Sequence, residues 1–127
     1  MKKTNKIIIF APANYRKLDI AQKKAICNGC GAKGGVTVPS TFYGLDISEA
    51  CNVHDFMYSV GTTAEDKDSA DRTFLNNMTR IITARSNWFL KPLRLRRAKT
   101  YYQAVHYFGG SAYWDNKNTH KEKVVVL

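Results

Sequence analysis

Two helical patterns separated by only a few residues constrain the fold more than any other feature of the sequence. Residues 46–49 (Asp-Ile-Ser-Glu) have the spacing of a capping box and predict a helix over residues 47–60, which Gly61 ends. Thr63 is a suitable cap for a second helix over residues 64–84. Because the connection is so short, we expect the two helices to lie antiparallel.

The other patterns are a short helix over residues 15–26 and a third, C-terminal helix over residues 95–108. A loop over residues 27–35 carries four glycines in seven positions, so that its carbonyls can point at a ligand. The sequence therefore predicts a mainly α fold. Two long antiparallel helices carry the candidate active site, and the third helix and a glycine-rich metal-binding loop complete it.

A chain of 127 residues is the size of one domain, and a hydrophobic fraction of 44% is typical of globular proteins. We expect one domain over residues 1–127, with a core at 15–110 and flanking arms at 1–14 and 111–127. The longest apolar run, Ile7–Ala13, is too short to span a bilayer, which needs about 20 residues. We therefore expect no transmembrane segment. We also expect the protein to be a monomer.

The charge of the chain is strongly asymmetric. The formal net charge is +10, and the basic ends of the chain flank an acidic middle. The basic ends should attract a polyanion, either nucleic acid or an anionic lipid surface. The densest cluster of cations follows Trp88. A tryptophan beside cations suits a membrane interface or stacking on nucleic-acid bases, and the alternative is a solvated helix face beside a core tryptophan. Its members are Lys91, Arg94, Arg96, Arg97 and Lys99.

Chemistry-bearing residues occur at helical spacing in the first long helix. Cys51, His54, Asp55 and Tyr58 are placed at offsets that share one face. On the second long helix, Asp71 shares the apolar face of Phe74, Leu75 and Met78. An ionised carboxylate there is costly unless it is paired. We therefore infer a buried hydrogen bond between Asp71 and His54, with Tyr58 also reaching Asp71.

Such a carboxylate would fix the tautomer of His54 and leave its other ring nitrogen able to take a proton from water. Asp55 points back towards the glycine loop, and a carboxylate with several free carbonyls suits calcium. The alternative is a core histidine with its hydrogen bonds satisfied beside a solvated aspartate.

These residues resemble a known family. Residues 51–58 are similar to the active-site helix of the phospholipase A2 superfamily, written Cys-x-x-His-Asp-x-x-Tyr. Residues 29–35 resemble its glycine-rich calcium loop, and Asp71-Arg72 with the apolar helix that follows resembles its second active-site helix. Residues 100–109 are similar to a helix of the short bacterial and fungal branch. The resemblance covers about residues 27–110.

The resemblance implies calcium-dependent hydrolysis of the sn-2 ester of glycerophospholipids. His54 would be the general base, Asp71 would orient it and Tyr58 would support Asp71. Calcium would stabilise the oxyanion and bind the phosphate. Its implied ligands are the carboxylate of Asp55 and loop carbonyls of Gly29, Gly31 and either Lys33 or Gly34.

The resemblance also implies a disulfide between Cys30 and Cys51, which leaves Cys27 free. The expected partner is an anionic phospholipid membrane surface rather than nucleic acid. The family resemblance suggests a secreted or released protein, although residues 1–13 match a signal peptide poorly. A lipid-binding protein that has kept this fold and lost the activity is one alternative.

A second alternative is a zinc ribbon. Cys27 and Cys30, followed after 20 residues by Cys51 and His54, have the spacing of zinc ligands. A basic protein with such a site would be a nucleic-acid-binding module. This interpretation leaves Asp55, Tyr58 and Asp71 without a role.

Overall fold

The computed structural model describes residues 7–27, Cys30 and residues 38–114. This part of the chain is mainly helical, which confirms the predicted fold class at that level. A two-stranded antiparallel hairpin precedes the long helices. In chain order the elements are α1 (Ala13–Arg16), α2 (Ile20–Ile26), β1 (Thr41–Phe42), β2 (Leu45–Asp46), α3 (Ser48–Val60), α4 (Ala64–Arg85), α5 (Lys91–Phe108) and α6 (110–114).

Helix α4 is the centre of the fold, because α3 packs along one side of it and α5 along another. Residues 61–63 join α3 to α4. The two helices run antiparallel, as the sequence predicts, because Tyr58 near the end of α3 meets Lys67 near the start of α4, whereas the earlier His54 stacks on the later Phe74. The main core cluster lies between these helices and the hairpin. It contains Phe42, Ile47, Ala50, Cys51, Phe74, Met78, Ile81, Ile82 and Ala98.

The two long helices begin differently. Thr63 caps the start of α4, as the sequence predicts, and it does so in a capping box with Asp66. The capping box expected at residues 46–49 does not form. The carboxylate of Asp46 instead accepts hydrogen bonds from the backbone N–H of Ser48 at 2.8 Å and from its hydroxyl at 2.6 Å. Glu49 does not complete the capping box, because its carboxylate accepts a hydrogen bond from the Tyr15 hydroxyl.

Two helix boundaries differ from the sequence predictions for local reasons. The expected helix over residues 15–26 is two helices, since Asp19 forms a capping box with Gln22 and starts α2 anew. Helix α5 begins at Lys91 rather than at residue 95. Pro92 lies in its first turn, where the missing N–H of proline costs no helical hydrogen bond.

Both segments expected as flanking arms contribute to the packing. The backbone N–H and C=O of Phe10 each hydrogen-bond the buried side-chain amide of Asn77, both at 2.8 Å. This pairing holds the extended N-terminal segment against α4, and Ile7 and Ile9 pack on the core. At the other end Tyr113 on α6 is fully buried.

Arg94 does not lie at the surface, where the prediction of a basic membrane-facing cluster places it. Its guanidinium is buried and donates hydrogen bonds to the carbonyls of Phe42 at 2.9 Å and Tyr43 at 2.6 Å. It also donates to the Ser86 hydroxyl at 3.0 Å. Arg94 thus ties the hairpin to the turn between α4 and α5, because those carbonyls need a donor away from water.

We predict that Arg94→Met lowers the free energy of unfolding by about 2–4 kcal/mol, since it leaves buried carbonyls without their donor. The matched control, Arg96→Met, removes an exposed cation two residues away and should change stability by less than about 0.5 kcal/mol. Urea unfolding measures both values. Equal stability of the two variants would show that the Arg94 contacts are unimportant.

Candidate active site

The inferred hydrogen bond between the two long helices is present. His54 on α3 and Asp71 on α4 are both buried, and His54 Nε2 lies 2.8 Å from Asp71 Oδ1. Helical spacing turns His54 and Tyr58 towards α4, because residues four apart share a face. The Tyr58 hydroxyl donates to the same oxygen, Asp71 Oδ1, at 2.7 Å.

The second oxygen of Asp71 has a partner that sequence reasoning missed. Lys67 Nζ lies 2.8 Å from Asp71 Oδ2, one helical turn earlier on α4. The same ammonium donates to the carbonyls of Val105 at 2.9 Å and His106 at 3.4 Å, in the last turn of α5. The signal in the sequence was the spacing of four residues between Lys67 and Asp71, which usually indicates an exposed ion pair.

Three donors keep the buried carboxylate ionised. Burial alone would raise the pKa of Asp71, but hydrogen bonds from His54, Lys67 and Tyr58 outweigh it and hold the pKa below its ordinary value. An ionised carboxylate can only accept hydrogen bonds, so His54 Nε2 must carry the proton that it donates. The neutral ring then has its lone pair on Nδ1.

The surroundings of His54 favour its neutral form. Burial lowers the pKa of His54 and outweighs the opposite effect of Asp71, while the nearby charge of Lys67 lowers it further. The ring stacks on Phe74 with a centroid distance of 4.6 Å and lies 4.1 Å from the Tyr58 ring. A neutral imidazole of fixed tautomer can accept a proton, which is the chemistry of a general base.

Helix α6 packs against Tyr58 through Tyr113. The Tyr113 ring meets the Tyr58 ring edge to face at 4.9 Å, and its hydroxyl donates to the carbonyl of Thr63 at 2.6 Å. The hydroxyl of each tyrosine lies close to a glycine. A Cβ at Gly61 would lie 2.7 Å from the Tyr113 hydroxyl, and one at Gly109 would lie 2.9 Å from the Tyr58 hydroxyl. Neither glycine can be replaced without displacing these side chains.

A disulfide joins Cys30 to Cys51, one turn before His54 on α3. It removes two of the four ligands that a zinc ribbon would need, because zinc binds thiolates. The other two candidates are also engaged: His54 Nε2 with Asp71, and Cys27 Sγ with the carbonyl of Asn52 at 3.3 Å. A zinc ion held by all four residues would need this disulfide to be reduced, so the disulfide counts against the zinc alternative.

The residues predicted to hold calcium are described only in part. Asp55 is half-buried on α3, while Gly29, Gly31, Lys33 and Gly34 lie outside the described residues. Within the described ranges no three His, Cys, Asp or Glu side chains cluster as metal ligands, but the predicted site needs only one carboxylate and loop carbonyls. Burial and, next, the charge of Asp55 raise the pKa of Cys27 to about 11. The charge of Asp55 thus acts on the thiol of Cys27, the first residue of the segment predicted as the glycine loop.

The predicted membrane-surface residues are exposed, apart from Arg94 and the half-buried Lys91. Trp88 is 85% exposed, and Arg96, Arg97 and Lys99 are exposed along α5. Phe89, which follows Trp88 in the sequence, is 61% exposed. Sequence reasoning missed Tyr43, whose ring lies 5.5 Å from the Arg97 guanidinium carbon.

Comparison of the chain with protein-family models, with curated proteins and with solved structures found no match. No helix among residues 7–27 and 38–114 is both long enough and apolar enough to cross a bilayer.

The lowered pKa of His54 predicts a loss of stability in mild acid. Below the ordinary histidine pKa of about 6.5 the unfolded chain binds a proton that the folded chain does not, so stability falls as the pH drops towards the lower folded pKa. Urea unfolding between about pH 8 and pH 5 should show this fall in the wild type and less of it in His54→Gln. His106→Gln is the control and should follow the wild type, whereas an unchanged slope in His54→Gln would contradict the assignment.

Proposed function

We propose that the protein is a calcium-dependent phospholipase A2 that hydrolyses the sn-2 ester of glycerophospholipids. One observation carries the proposal: a buried imidazole hydrogen-bonded through Nε2 to a fully buried, ionised carboxylate. The resemblance of residues 51–58 to the active-site helix of that superfamily gives the reaction class.

In the proposed mechanism His54 transfers one proton from the attacking water to the leaving group. His54 Nδ1 takes a proton from a water molecule as the water oxygen attacks the ester carbonyl. Asp71 holds the ring and stabilises the imidazolium that forms. His54 then returns the proton to the departing glycerol oxygen, and the products are a fatty acid and a lysophospholipid. Tyr58 acts through Asp71 by holding its carboxylate.

Asp55 and carbonyls of the glycine loop would hold the calcium ion. The ion would supply positive charge at the phosphate and at the oxygen of the ester carbonyl, where negative charge develops. The disulfide between Cys30 and Cys51 supports this assignment, because it ties the loop to α3 one turn before Asp55.

The proposed partner is an anionic membrane surface that contacts the tip formed by Trp88, Phe89 and the exposed cations of α5. Exposed aromatic rings beside cations suit the headgroup region of a bilayer. Arg94 supports this surface from inside, because it fastens the turn carrying Tyr43 to Ser86, which precedes the exposed rings.

The proposed activity predicts calcium-dependent release of fatty acid from mixed phospholipid micelles. His54→Gln should lower the rate by about 10²–10⁴-fold, because it removes the general base. His106→Gln is the matched control and should retain the wild-type rate. Chelation of calcium should abolish release, and adding calcium back should restore it.

Two results would contradict this proposal. If the wild type and His54→Gln release equally little fatty acid while calcium is present, the protein has kept the fold without the activity. If release is equal with and without a chelator, the reaction does not use the proposed metal site.

The proposed surface predicts tighter binding to anionic than to zwitterionic vesicles. Each cation near such a surface contributes about 1 kcal/mol, so Arg96→Gln with Arg97→Gln should weaken binding to anionic vesicles about 30-fold. The control is Lys17→Gln with Lys24→Gln, which removes the same charge from exposed positions near α1 and α2. Vesicle co-sedimentation measures both, and equal losses would show that net charge alone attracts the protein.

A further inference from the structure

Lys67 has an unusual position for a lysine that pairs with an acid one turn away on the same helix. Its side chain is only 13% exposed, and its ammonium contacts the fully buried carboxylate of Asp71. A second pair with the same spacing on α4 shows the ordinary arrangement. Arg72 and Asp68 lie 2.9 Å apart with side chains 68% and 44% exposed.

The ammonium of Lys67 is anchored on two sides. One side is Asp71 Oδ2, and the other is the carbonyls of Val105 and His106 at the C-terminal end of α5. The carbonyls in the last turn of a helix carry partial negative charge, so they suit a cation. The Val105 carbonyl accepts from the backbone N–H of Gly109 at 2.9 Å as well as from Lys67. Lys67 therefore connects the end of α5 to the carboxylate that holds His54.

We propose that Lys67 is the positioning residue that fixes the tautomer of His54 by keeping Asp71 ionised and its carboxylate in one orientation. Among the described residues, Lys67 is the donor to Oδ2, whereas His54 and Tyr58 share Oδ1. Without Lys67, a buried Oδ2 would lack a donor and would take up a proton or rotate towards Tyr58. A protonated Asp71 no longer requires His54 Nε2 to be the donor.

The charge of Asp71 determines which ring nitrogen of His54 carries the proton. While Asp71 is ionised, the ring proton stays on Nε2 and the lone pair stays on Nδ1. Once Asp71 is neutral, the tautomer with its proton on Nδ1 becomes accessible, and that tautomer cannot accept a proton at Nδ1. The relevance to catalysis rests on the proposed function, but the tautomer itself is independent of it.

The test is a long-range proton–nitrogen NMR spectrum of protein labelled with ¹⁵N-histidine, recorded at about pH 8, where an ordinary histidine is neutral. The wild type should show one set of His54 ring signals with a protonated Nε2 and an unprotonated Nδ1. His54→Gln identifies those signals. Lys67→Met should give averaged or mixed tautomer signals, and Lys67→Arg should restore the wild-type pattern.

Arg72→Met is the matched control, because it breaks an ion pair of the same spacing on the same helix and should leave the His54 signals unchanged. Lys67→Gln keeps one N–H donor without the charge and serves if Lys67→Met does not fold. A single Nε2–H tautomer in Lys67→Met or Lys67→Gln would overturn the inference, as would loss of that tautomer in Lys67→Arg.

A kinetic measurement separates this inference from the proposed function. With phospholipid micelles, Lys67→Met should lower kcat about 10–100-fold, as loss of a supporting contact does, with KM nearly unchanged. If the wild type hydrolyses phospholipid, an unchanged kcat in folded Lys67→Met would also overturn the inference. If the wild type shows no hydrolysis but its tautomer depends on Lys67, the proposed function fails and the positioning role stands.

Discussion

The buried charge of Asp71 is the constraint on which the centre of the fold depends. A carboxylate removed from water is costly unless donors surround it. Here α3 supplies His54 and Tyr58, α4 supplies Lys67, and the end of α5 anchors Lys67 in turn. In the part of the chain that the structure describes, no buried side-chain nitrogen or oxygen lacks a hydrogen-bond partner.

The same arrangement connects stability to chemistry. An apolar pair at positions 54 and 71 would pack two helices without this cost, and buried ionisable pairs of this kind are common at functional sites. Its three donors keep Asp71 ionised, and the ionised carboxylate fixes the ring of His54. The proton-accepting nitrogen is thereby determined by contacts made on the other side of the ring.

The sequence could predict those parts of the site that follow from periodicity and from the cost of burying charge. The contact between His54 and Asp71 was predictable because Asp71 shares a face with Phe74 and Met78. Lys67 was not, since a lysine four residues before an acid has the pattern of a solvated pair. The last turn of α5 and the Tyr58 ring of α3 both lie against its ammonium, and neither approach is visible in the local pattern.

Arg94 illustrates the same limit of local patterns. It lies in a basic run that indicates a surface, yet the hairpin carbonyls lie over it and bury it. The hairpin itself has strands of two residues each, too short to produce an alternating pattern. Its turn places Tyr43 and Gly44 at positive φ, and only the glycine signals this in the sequence.

The most direct test of the central claim is a crystal structure of the protein grown with calcium chloride. The account predicts an ion bound by Asp55 and carbonyls of the glycine loop, on the side of His54 where Nδ1 lies, with Nε2 hydrogen-bonded to Asp71. An ion bound away from His54, or a His54 ring whose Nδ1 faces Asp71, would contradict it.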